Sequence, residues 1–147
     1  MTGTRIAIVF SLAAGIAGAA QASISGALGR RVGTIGAAGF GVALAAILVV
    51  ALAVALGRGG SILAGIHQPF WLWLGGLFGA TIVLAIAYAP PRIGTFATVA
   101  LLIAGQLAAG AAVDALGLLG SPRIPVTITR VSGLVLVAAG AALTLKR

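Results

Sequence analysis

The ten charged residues of this 147-residue chain leave long stretches with no charge at all. Residues 6–29, 32–57, 59–91 and 93–113 contain none, and a fifth apolar run, 126–145, is interrupted only by Arg130. A helix needs about 20 apolar residues to cross the ~30 Å hydrocarbon core of a bilayer. Only helices or closed barrels satisfy their own backbone there. The expected fold is therefore all-α: a polytopic membrane protein with five transmembrane helices, over about 6–28, 34–56, 70–88, 94–116 and 126–145. These spans form a single transmembrane domain covering 1–147, with the lipid bilayer as its first partner.

Composition narrows the function classes. Hydrophobic residues make up 61% and charged residues 7%, with a mean hydropathy of +1.25. Once five spans are formed, no soluble catalytic domain has room. The net charge of +8 does not build a nucleic-acid groove. The basic residues come singly or as the pairs Arg30-Arg31 and Lys146-Arg147 at span ends, which is how positive charge meets lipid headgroups. There are no cysteines, and His67 is the one histidine. No Ser/His/Asp set, paired carboxylates or H-E-x-x-H motif occurs, so no enzyme, metal or cofactor is expected.

The N-terminus imitates a secretory signal, with Arg5, an apolar run and Ala20-Gln21-Ala22 before Ser23. The apolar stretch continues past that site to Leu28, beyond the 7–15 residues of a signal core. A retained first span is expected. Gly29-Arg30-Arg31 is expected to turn the chain, and Gly57 to Pro69 to connect spans two and three. Pro69 suits the first position of helix three, which stops at Pro90-Pro91.

Twenty-three glycines would weaken soluble helices, whereas in lipid small residues let helix backbones approach closely. Ser11, Gly15, Gly18, Ala22, Ser25 and Gly29 form one small-residue stripe on helix one. Gly75 and Gly79 make a G-x-x-x-G on helix three, and Gly110 continues the theme on helix four. Gly15, Gly18, Gly75, Gly79 and Gly110 are the candidate packing positions.

Few side chains within the spans can do chemistry. Gln21 lies about mid-span on helix one. Gln106, Gly110 and Asp114 stand at i, i+4 and i+8, one ridge of helix four. Gln21 and Gln106 fit either an interhelical hydrogen bond or the wall of a substrate path. Asp114 is the one acid in the chain. It fits a structural pair with Arg123 or Arg130 near a helix end, or a transport carboxylate. A carboxylate at a helix C-terminus opposes the dipole, so a basic partner is expected either way. Trp71, Trp73 and Tyr88 fall near the ends of helix three, where interfacial aromatics belong.

These residues carry a family resemblance. Trp73-Leu74-Gly75-Gly76-Leu77-Phe78-Gly79-Ala80, Gly105-Gln106-Leu107 through Val113-Asp114-Ala115-Leu116-Gly117, and Arg130 with Gly133 and Gly140 look like the YdcZ branch of the drug/metabolite transporter superfamily. The likeness extends over nearly the whole chain. It implies a five-helix half-transporter of the bacterial inner membrane and names no substrate. At superfamily level the chain is similar to small multidrug resistance proteins, which carry a membrane-embedded glutamate in helix one. Here Gln21 stands near that depth and no glutamate occurs. That departure argues against cation–proton antiport of their kind.

Five spans put the termini on opposite sides. One side then holds Arg5, Arg58, Arg123 and Arg130, the other Arg30, Arg31, Arg92, Lys146 and Arg147. So even a split scarcely specifies orientation. It fits a weak N-out preference or dual topology, with an antiparallel homodimer or a paralogous membrane subunit completing an inverted-repeat transporter. The leading expectation is a secondary transporter of a small organic solute working as a dimer by alternating access. A small dual-topology ion channel and a non-transporting membrane subunit are the alternatives.

Overall fold

A computed structural model describes residues 2–145 as helices joined by short turns. The pair Lys146-Arg147, assigned above to one interface, lies outside the described residues. The helices are α1 (Thr2–Val32), α2 (Thr34–Ala55), α3 (Gly59–Ala64), α4 (Leu74–Tyr88), α5 (Pro90–Ile93), α6 (Thr95–Leu116) and α7 (Ile128–Leu143). Two 3-10 turns, Gly65–His67 and Phe70–Trp73, lead into α4. No strand occurs among the described residues.

Among the described residues, four helical segments are long and apolar enough to span: Gly3–Val32, Thr34–Ala55, Phe70–Ile93 and Thr95–Leu116. The fifth expected span is shorter than 126–145. Its 16-residue helix rises about 24 Å, less than the ~30 Å core. The reason is local. Pro122 and Pro125 keep the approach extended, and Thr127 caps the helix with its side-chain oxygen, which accepts from the Arg130 backbone N–H. Two other boundaries move. α1 continues through Gly29-Arg30-Arg31 to Val32, and the segment expected as a plain connection forms α3. The helix also resumes at Pro90–Ile93 where a stop was expected. Proline tolerates a helix's first turn because its missing N–H would have no partner there.

The break that ends α1 occurs at Gly33, and the same turn is used a second time at Gly94. Arg31-Val32-Gly33-Thr34 and Arg92-Ile93-Gly94-Thr95 share the pattern Arg, β-branched apolar, Gly, Thr. Gly33 caps α2 at φ 80°, ψ 157°, and Gly94 caps α6 at φ 84°, ψ 155°. Only glycine adopts that region without strain. The Ala37 N–H then donates to the Gly33 carbonyl at 3.0 Å, and the Thr98 N–H to the Gly94 carbonyl at 3.1 Å. Ile35 and Phe96, two residues after each glycine, are 81% and 79% exposed. In lipid such side chains meet acyl chains, so their exposure costs nothing.

The chain divides into two compact units, Gln21–Pro91 and Met1–Ala20 with Arg92–Arg147. In the first, α2 packs on α4 around Ala37, Ala38 and Ala87, with Leu28 and Val83 against them. α1 enters this cluster through its small residues. A Cβ on Gly26 would lie 2.9 Å from the Pro90 Cβ. In the second unit, α6 packs on α7. The core residues are nearly all alanine because close backbone approach, with its dispersion contacts, replaces hydrophobic drive inside a membrane.

Candidate functional site: the α6–α7 groove

The end of α6 sets up the site. Gly117 takes the left-handed conformation, φ 64°, and the following Leu118 N–H donates back to the Val113 carbonyl at 3.1 Å. This Schellman closure satisfies carbonyls that the helix end would otherwise orphan. The loop is then tied beneath the helix. Ile124 N–H donates to the Asp114 carbonyl at 2.8 Å, and Arg123 Nε donates to the Ala115 carbonyl at 3.1 Å. Thr127 next starts α7 antiparallel to α6, which brings Arg130, in the first turn of α7, beside Asp114.

Of the two arginines offered above as partners, Arg130 makes the ion pair. Its Nη1 donates to Asp114 Oδ2 at 3.1 Å. The side chains are 46% and 34% exposed, respectively. Arg123 serves the helix end instead. The pairing suits the helix dipoles. Asp114 alone would be unfavourable at the negative end of α6, and Arg130 alone at the positive end of α7. In the antiparallel hairpin each charge sits beside the helix end that attracts it.

From this pair a groove of about 470 Å³ runs along the hairpin. Gln106 and Asp114 line it from α6, with Leu107, Gly110 and Ala111. Arg130, Gly133, Leu134 and Val137 line it from α7. Gly110 and Gly133 clear its floor, since a Cβ on either would meet nothing within 4 Å. Gln106 lies eight residues from Asp114, about 12 Å along the axis. The structure thus brings Gln106, Gly110, Asp114 and Arg130 to one surface. Gln21 is exposed on α1 in the Gln21–Pro91 unit and is not part of this lining. Neither glutamine makes a side-chain hydrogen bond among the described residues.

The α7 half of the groove was not singled out from the chain as a wall. Its signal was present, because Arg130, Gly133, Leu134 and Val137 recur at the three- and four-residue steps of one helix face.

Trp73 Nε1 donates to the Gly65 carbonyl at 3.3 Å, which ties the start of α4 back over the turn after α3. Trp71 and Tyr88 are exposed. Gly15, Gly18, Gly75 and Gly79 have open space where a Cβ would stand. Among the described residues, no group of three or more His, Cys, Asp or Glu could hold a metal.

The DMT_YdcZ family, described as "Putative inner membrane exporter, YdcZ", matches residues 6–143. No curated protein and no solved structure matches the chain. The family match runs from the first span through α7 and includes every residue of the groove, so the chain belongs to the YdcZ family and is a multi-pass protein of the inner membrane.

Proposed function

We propose that this chain is one half of a secondary transporter that exports a small organic solute, with the α6–α7 groove as part of the substrate path. The observation that carries this reading is the groove itself. It holds the single carboxylate of the chain, paired at 3.1 Å, at one end of an open apolar surface with Gln106 further along. Ionisable groups on membrane helices mark substrate or ion pathways, and this one stands in the last turn of α6. Gln106 forms part of the wall and Asp114 stands at the mouth beside Arg130.

A dimer completes the path. Many transporters enclose a midplane site between two inverted repeats. Two five-helix chains inserted in opposite directions make that arrangement from one gene. The near-even split of basic residues between the two sides permits such dual insertion. Gly15, Gly18, Gly75 and Gly79 have the open backbone faces that close helix contact between chains requires.

The test is export from vesicles containing purified protein, comparing the unmodified chain with Gln106→Leu. The expected result is a several-fold lower initial rate at unchanged protein abundance. An interhelical bond lost at that position would cost only about 0.6 kcal/mol, and export would fall only with abundance. Full activity in Gln106→Leu would remove α6 from the path. Conduction that follows voltage without saturation would replace the transporter by a channel. Absence of flux with a fixed co-purifying protein would replace it by a non-transporting subunit.

A further inference from the structure

The groove carries no net charge, and that bounds what it accepts. Its polar groups are Asp114, Arg130 and Gln106, and its other lining residues are apolar or glycine. Asp114 and Arg130 meet through one oxygen and one nitrogen. Among the described residues no second hydrogen bond to either side chain occurs, so Asp114 Oδ1 and Arg130 Nε and Nη2 keep their bonding capacity. Those free groups point to different ligand charges, since a carboxylate oxygen accepts and a guanidinium only donates.

We infer that the α6–α7 groove takes a zwitterionic amphiphile, whose ammonium group faces Asp114 and whose carboxylate faces Arg130. This rests on reading the groove as a substrate path. A bare cation drawn to Asp114 also meets Arg130 and leaves one uncompensated positive charge. A bare anion on Arg130 leaves one negative charge. The pair is partly exposed, and beside the apolar walls of the groove either imbalance still weakens binding. A zwitterion closes an alternating set of four charges with zero sum and leaves the Asp114–Arg130 contact in place. The free edge of the guanidinium suits a carboxylate, which it binds in a planar fork.

The body of the solute is bounded as well. Beyond the charged pair the floor is open at Gly110 and Gly133, and Leu107, Leu134 and Val137 form apolar walls. Gln106, about 12 Å along, lies within reach of a solute of modest length. The volume of about 470 Å³ falls in the ordinary range of small-molecule sites, roughly 300–1,000 Å³. A charged head at the mouth and a hydrocarbon or aromatic body along the floor match this surface.

Two isosteric probe series test the inference on the purified full chain in lipid nanodiscs. One is phenylalanine, 2-phenylethylamine and 3-phenylpropanoate. The other is leucine, 3-methylbutylamine and 4-methylpentanoate. Within each series the zwitterion is expected to bind about two- to fivefold more tightly than the amine or the acid, because each further contact is made to a partly exposed charge. Asp114→Asn leaves Arg130 in excess and should make the acid the preferred ligand. Arg130→Gln should make the amine preferred. The double exchange Asp114→Arg with Arg130→Asp keeps a pair and should restore the preference for the zwitterion, which guards against reading a folding defect as a charge effect.

Equal or tighter binding of the amine or the acid by the unmodified chain overturns the inference. So does a uniform loss across all three ligands in both single variants, or no binding of any of the six probes. Vesicle flux separates this from the transport reading. Ranked binding without movement of the zwitterion would sink transport and leave the charge selection standing. Saturable, Gln106-dependent movement of the amine alone would do the reverse.

Discussion

A Cβ atom placed on Gly29 would lie 2.7 Å from the carbonyl oxygen of Ala87. Real side chains do not come so close to a backbone oxygen, so this pair sets how near α1 approaches the end of α4. Gly29→Ala should therefore destabilise the protein by about 1–3 kcal/mol, the usual cost of forcing a methyl group into a packed contact. Gly15→Ala, at a position with nothing within 4 Å, should be neutral or slightly stabilising. Thermal unfolding of both variants in one detergent checks the contrast. Equal stability of the two would mean that the Gly29 contact is not made.

The repeated turn leads to a second prediction. Gly33 and Gly94 occupy a backbone region closed to side chains, so Gly33→Ala and Gly94→Ala should each cost about 1–3 kcal/mol. Gly117→Asn should cost less than either, because its φ of 64° and ψ of 38° lie in the left-handed helical region that asparagine tolerates. Unfolding midpoints of the three variants give the order directly.

Arg130 and Arg123 are expected to separate in a double-mutant cycle. Coupling between Asp114→Asn and Arg130→Gln should fall at about 0.2–1 kcal/mol, the value for a partly exposed pair. Coupling between Asp114→Asn and Arg123→Gln should be near zero, because Arg123 bonds the Ala115 carbonyl. Stability measured for the six chains of the two cycles decides this. A larger coupling to Arg123 would reassign the partner.

The membrane placement of the α3 region is open to direct observation. Trp71 and Trp73 are the only two tryptophans, and both lie in the turn between α3 and α4. The aromatic patch Phe70, Trp71 and Trp73 should rest at headgroup depth, where such rings prefer to sit. Lipids brominated near the headgroup should then quench the emission more than lipids brominated near the chain ends. Stronger quenching from the bilayer centre would place this turn inside the membrane.

Topology supplies the last prediction. The chain has no cysteine, so single cysteines at Gly3, Ser61 and Ser121 label without background. All three should react from the same side of the membrane. A cysteine at Ser121 reacting from the side opposite to Ser61, within one oriented population, would break the pairing of spans three and four. A site after α7 tests the short fifth helix. Its exposure on the side opposite to Ser121 would show that 16 helical residues with their flanks complete a crossing.

Charge placement by itself determined the membrane class, the helical fold and the rough extent of four spans. An ion-free interval of more than about 20 residues has few other solutions in lipid. The ridge of Gln106, Gly110 and Asp114 was also legible, since helical spacing is a property of the local chain. The end of α1 was not. Glycine signals both a turn and a close packing contact, and only a neighbouring element tells them apart. Gly29 stays helical against Ala87, and the turn falls at Gly33, whose φ of 80° other residues avoid. The shortening of the fifth helix likewise depended on the Thr127 cap. The choice of Arg130 over Arg123 was a tertiary decision. Both arginines follow Asp114 on the same side of the membrane, and spacing along a loop does not say which one folds back. The Schellman turn at Gly117 and the Thr127 cap aim Arg130 across the hairpin and spend Arg123 on the Ala115 carbonyl. Local spacing set the ridge, and the hairpin geometry supplied its counter-charge and the opposite wall.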